Sequence, residues 1–367
     1  MTHLEWNESI GKRVRTGDWN DQAISTVTKI QEALEEAGDE FGPAAGRREA
    51  AAQLVDYFME EAKGLYVAYS KVWTPGFVNW LHAQGVPDGE VEAELDRLRH
   101  LLAYPDGTPL EPAARWEALG LRAGRLANGI RSYDLTVAAA TAELQAVRED
   151  WRRLHDRYAD LMAGIVGFVA KRFGEPAVEA CWRAVLEPYI QDRYMAFDVR
   201  RHPYEETLER NLYYSFEGMR THLGGPGRRG DIEIEEFDDR WQLRFYPCGT
   251  GGRMLRGDPE EGTGPRVLAP YEFGTTEEPH PWAWNEVGVC YYCAHCNLLM
   301  STLPAERWGH PVRTIEPPLW RGVDDASTRR KCQWTVWKSL DAIPEREYER
   351  LGRTKPRLPV IQPGGSE

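Results

Sequence analysis

The sequence predicts an α+β protein: an all-helical part over residues 1–223, then a smaller, β-rich part over 224–355 that binds a metal through cysteines. Three observations carry this. Apolar residues recur at steps of three and four through the first 220 positions. Beyond a Gly224-Gly225-Pro226-Gly227 break the pattern turns to alternation, and five of the six cysteines lie there.

The helical elements follow in order. Over Asp21 to Ala37, Ile24, Val27, Ile30 and Leu34 hold helical spacing, and Gly42-Pro43 closes the run. Arg47 to Lys63 resumes it with Leu54, Val55 and Phe58. Thr74-Pro75-Gly76 and the stretch Gly85 to Gly89 read as further boundaries. The longest helix is expected from Thr136 to Phe173, with Leu144, Val147, Trp151, Leu154, Tyr158, Leu161 and Ile165 on one stripe. Gly174 suits a helix end and Pro176 a helix start. A last helix is expected from Tyr204 to His222.

In the second part, Asp231–Phe237 and Trp241–Phe245 alternate polar and apolar residues around Asp238-Asp239, which predicts a hairpin. Eleven glycines and five prolines between Gly224 and Gly274 argue against helix. Cys332–Lys338 alternates again and reads as a closing strand. The Pro- and Gly-bearing tail over 356–367 reads as disordered.

Bulk properties bound the function. A formal net charge of −13 over 367 residues excludes a nucleic-acid partner, and Arg228-Arg229 alone does not alter that. The first residues form no secretory signal, and no apolar stretch is long enough to span a bilayer. A cytoplasmic protein is therefore expected, with no membrane partner. In a reducing compartment clustered cysteines point to metal rather than disulfides.

The cysteines read Cys248-x41-Cys290-x2-Cys293-x2-Cys296-x35-Cys332. Three thiolates at intervals of three gather around a point if the backbone curls. Cys248, Cys290, Cys293 and Cys296 are the expected ligands, with Cys332 as the alternative fourth. Cys248 is preferred because the glycines after it permit a tight turn, whereas Cys332 opens a strand. The spacing resembles [4Fe–4S] ligation, where each thiolate serves a different iron. A zinc ion held by four of these residues stays open as the alternative. Cys181, beside Trp182, reads as core.

Around this centre, Gly249-Thr250-Gly251-Gly252-Arg253 suggests an anion nest, with Arg253 binding substrate charge. His280 and His295 are the candidate proton carriers. Seven of fourteen tryptophans fall between Trp241 and Trp337, and they suit either a bulky core or a pocket for a planar substrate. In the long helix, His155, Asp156 and Asp160 read as a solvated charged face, with His155 and Asp156 about 100° apart. No serine-nucleophile elbow and no His-Glu-x-x-His motif is present. The function this supports is a metal-dependent enzyme acting on a small planar or carboxylated metabolite. Iron–sulfur would make it an oxidoreductase or lyase, and zinc a hydrolase. The alternative is an adaptor or regulatory subunit with a structural zinc. Substrate and oligomeric state are not legible.

Overall fold

In a computed structural model that describes residues 2–40 and 45–357, the α+β class holds. A short hairpin, β1 (Leu4–Asn7) and β2 (Lys12–Arg15), precedes the helices and has no counterpart in the sequence reading. Then come α1 (Trp19–Ala23), α2 (Thr26–Ala37), α3 (Ala45–Val67), α4 (Thr74–Ala83), α5 (Asp88–Leu101), α6 (Pro112–Arg131), α7 (Val137–Phe173), α8 (Pro176–Tyr194) and α9 (Tyr204–Thr221). Gly42 and Pro43 lie outside the described residues, as does the tail from 358 onward.

One boundary is corrected. Thr74-Pro75-Gly76 does not end a helix. A wide turn over Ala68–Trp73 runs straight into α4, with Pro75 in its first turn. There the missing N–H costs nothing, because the wide turn has already given up the regular ladder.

The 37-residue α7 organises the molecule. The Thr136 hydroxyl accepts from the Ala139 N–H at its start, and Gly174, at φ +86°, closes it. The apolar stripe is buried as its spacing predicts. The opposite face is buried as well: His155, Asp156 and Asp160 are at most 1 % exposed, so the solvated-face reading fails. That face is covered by the C-terminal third, whose backbone at Phe273 comes so close that a Cβ on Gly167 would stand 2.6 Å from its carbonyl oxygen.

The C-terminal third holds an antiparallel sheet of β3 (Glu233–Glu236), β4 (Arg240–Phe245), β5 (Thr314–Glu316) and β6 (Cys332–Trp337), in the order β3-β4-β6-β5. The expected hairpin and closing strand are both present. Helical turns are more frequent than expected: α10 (Gly251–Arg256), α11 (Ala294–Asn297), α12 (Leu303–Trp308) and α13 (Glu345–Glu349). One apolar core takes side chains from both parts, including Tyr158 and Trp182 from α7 and α8 and Leu243, Val336 and Trp334 from the sheet. No helix among the described residues is long and apolar enough to cross a membrane.

Candidate metal centre and cavity

Cys248 follows β4 and leads into α10. The glycine loop that carries it is wedged in place: a Cβ on Gly249 would collide with the His222 carbonyl, and one on Gly251 with the Cys293 sulfur. Only glycine allows this approach. The loop's N–H groups serve the protein's own sulfur rather than an external anion. A hydrogen bond from the Cys332 thiol is the largest influence on Cys248. Burial opposes it, and the Thr250 hydroxyl and the Gly252 and Thr250 N–H groups add to it. Together they hold Cys248 well below the ordinary thiol range. Cys332, at the start of β6, stands opposite Phe245 in register, which places it beside Cys248.

The backbone does curl through the other three cysteines. A tight turn over Tyr291–Cys293, with the Cys293 N–H donating to the Cys290 carbonyl at 2.7 Å, passes into α11 and a wide turn over Leu298–Thr302. The Cys293 thiol lowers Cys290 against the effect of burial, helped by the N–H groups of Tyr292 and Cys293. Cys296 lies 3.3 Å from His295 Nε2, while His295 Nδ1 donates to the Tyr292 carbonyl at 2.5 Å. Burial pushes the Cys296 thiol up and His295 down to about 4, so the two form a neutral S–H···N pair and not a thiolate–imidazolium. None of the six cysteines is in a disulfide.

Cys248, Cys293, Cys296 and Cys332 line one cavity of about 340 Å³, together with His222, His295, Arg313 and the rings of Trp73, Tyr292, Trp284 and Trp334. Cys290 does not line it and sits behind, its sulfur 3.8 Å from Met254 Sδ. The structure thus gathers all five cysteines but sets Cys332, the alternative ligand, on the cavity wall. Among the described residues, no three Cys, His, Asp or Glu side chains converge tightly enough to hold one metal ion. The cysteines lie as two hydrogen-bonded pairs, Cys248 with Cys332 and Cys290 with Cys293, with Cys296 turned to His295.

Two of the predicted proton and charge carriers lie elsewhere. Arg253 is 1 % exposed and its guanidinium is bound to Asp160, the Asp156 carbonyl and the Gly249 carbonyl, so it does not face the cavity. His280 stacks on Trp282 and meets Glu175 at 2.8 Å, a carboxylate that also accepts from the Tyr291 hydroxyl at 2.8 Å. Of the three, only His295 lines the cavity.

Sequence reasoning missed His222. It follows α9, where the Trp151 indole N–H donates to the Thr221 carbonyl at 2.9 Å. Its Nδ1 lies 2.8 Å from His155 Nε2, and His155 Nδ1 lies 2.8 Å from Asp156 Oδ1. The expectation that His155 and Asp156 diverge is corrected: adjacent side chains on a helix still meet when the shorter one bends back. Asp156 is further bound by Arg228 at 2.6 Å and Arg152 at 3.2 Å. No signal in the sequence links positions 67 residues apart. Set against family models, curated proteins and solved structures, the chain matches none.

Proposed function

We propose that this chain is a metal-dependent enzyme whose thiolate-bound centre forms one wall of a pocket for a small planar, carboxylated metabolite. The observation that supports it is the gathering of Cys248, Cys293, Cys296 and Cys332 on one aromatic-walled cavity of about 340 Å³. A cavity of this size is at the small end of ligand sites, and its aromatic walls are interrupted by charged groups, Lys12, Glu60, Glu61 and Glu217 among them. A [4Fe–4S] cluster is preferred over zinc on the Cys-x2-Cys-x2-Cys spacing with one remote cysteine. Cys248 and three of Cys290, Cys293, Cys296 and Cys332 would hold it, and it would supply electron transfer or Lewis-acid chemistry.

The chain's own residues bind and orient the substrate. Arg313 takes the carboxylate role first given to Arg253: it lines the cavity, its Nε donates to Asn211 Oδ1 at 2.6 Å, and its guanidinium lies 5.2 Å from the Trp334 ring centre. Trp284 and Trp334 offer flat apolar walls to a ring. His295, with Nδ1 committed to the Tyr292 carbonyl, accepts at Nε2 from the Cys296 thiol.

Anaerobic purification with metal and sulfide analysis tests this reading. Brown protein absorbing near ~400 nm, with about four irons and labile sulfide per chain, is expected. A colourless protein with one zinc would remove the cluster, and a protein free of both would remove the metal centre.

A further inference from the structure

The chain Asp156–His155–His222 has a direction that its hydrogen bonds and the charges around them determine. Asp156 sits among the guanidiniums of Arg228, Arg152 and Arg253, so it is an ionised carboxylate and only accepts. The proton shared with His155, at 2.8 Å, therefore sits on His155 Nδ1. A second proton on His155 would place a fully buried imidazolium beside Arg228 and Arg253, where the nearby carboxylates Asp156, Asp160 and Asp258 are already paired with those guanidiniums, which is unfavourable. His155 Nε2 then carries a lone pair, and the 2.8 Å contact to His222 has to be donated by His222 Nδ1–H. The proton of a neutral His222 is used there, and its Nε2 is left as an acceptor. His222 lines the cavity, as do Cys248 and His295, and with Nδ1 turned to His155 the edge left for the cavity is Nε2.

We propose that His222 Nε2 is a hydrogen-bond acceptor of the cavity, which Glu60, Glu61 and Glu217 also line, for a planar ligand that presents a ring O–H. His155 and Asp156 are positioning residues that hold its tautomer, in the way a carboxylate orients a catalytic or ligating imidazole. The acceptor follows from the hydrogen-bond chain and the charges that surround it. The planar class of ligand rests on the function proposed above. On binding, the ring O–H donates to Nε2.

4-Nitrophenol is a suitable probe, because the absorption band of the neutral phenol moves to longer wavelength when its O–H donates a hydrogen bond. The unaltered protein is expected to bind it as the neutral phenol with this band shifted. His222→Asn keeps a donor near the Nδ1 position but removes Nε2. It should weaken binding about tenfold, the worth of one such hydrogen bond, and abolish the spectral shift at unchanged metal content. A long-range proton–nitrogen spectrum of the unaltered protein should show His222 protonated at Nδ1, and this reading stands even if the variant fails to fold. Protonation at Nε2, absence of 4-nitrophenol binding, or equal affinity in the variant would each overturn the proposal. Absence of metal with binding and tautomer as expected would instead remove the metal centre and leave the acceptor standing.

Discussion

At the scale of single residues, the burial of charge separates roles that the sequence merged. Arg253 lies near the cysteines in sequence, yet its guanidinium closes a fully buried ion pair with Asp160, which Arg266 shares at 2.7 Å. Arg253→Ala should therefore act on stability. Leaving Asp160 half-partnered in the interior is expected to cost about 3–5 kcal/mol, read as a lower urea midpoint. A variant with normal stability and weakened ligand binding would instead restore Arg253 to the cavity. Among the cysteines, Cys248→Ala should abolish metal loading, because that thiolate collects the Cys332 and Thr250 donors and two N–H groups. Cys181→Ala, far from these donors in the α8 core, should leave metal content intact. Equal loading in both variants would disconnect the centre from Cys248.

At the scale of elements, two contacts show how local conformation serves the site. The loop before α10 depends on Gly251, where any side chain would overlap the Cys293 sulfur. Gly251→Ala is expected to lower metal retention while the helical content, dominated by α2 to α9, stays unchanged by circular dichroism. Full retention would mean that the loop has room it does not show. The cap of α7 is a simpler case. Thr136 presents its hydroxyl to the Ala139 N–H at 3.2 Å on an exposed helix start, so Thr136→Ala should cost about 1 kcal/mol in unfolding free energy with no change at the cavity.

For the whole molecule, the consequence of burying histidines is a pH dependence of stability. Burial is the largest influence on His155, His222 and His310, and each is held below the ordinary histidine range. A neutral histidine whose folded pKa is depressed contributes stability that is fully present above its unfolded value, about 6.5, and lost as pH falls toward the folded value. Unfolding free energy should therefore decline as pH drops below about 6.5. Asp156 and Asp160 respond later. Burial raises them, but Arg228 and Arg253 (for Asp156) and Arg253 and Arg266 (for Asp160) outweigh it and leave both below the usual carboxylate range. Their contribution starts to fall only below about pH 4, where the unfolded carboxylates take up protons. Urea midpoints that stay flat between pH 7 and pH 5 would show that these histidines are not buried neutral.

The sequence by itself determined α2, α3, α7, the start of α8, α9, the hairpin of β3 and β4, the strand β6 and the set of five cysteines that would serve one centre. These are local or compositional: a stripe at period 3.6, an alternation at period two, and a rare residue that recurs where chance would not put it. It also indicated a tight glycine turn at Cys248. Only the tertiary structure decided that Cys332 shares the cavity wall while Cys290 stands behind it, because that depends on the β4–β6 register. Only packing turned the charged face of α7 from solvent to interior, since a second buried face on a helix leaves no periodic trace. The Asp156–His155–His222 chain joins the middle of one helix to the end of another, and Arg253 was misplaced for the same reason. Nearness along the chain constrains a side chain's position within a turn or two, and beyond that distance the fold alone chooses its partners.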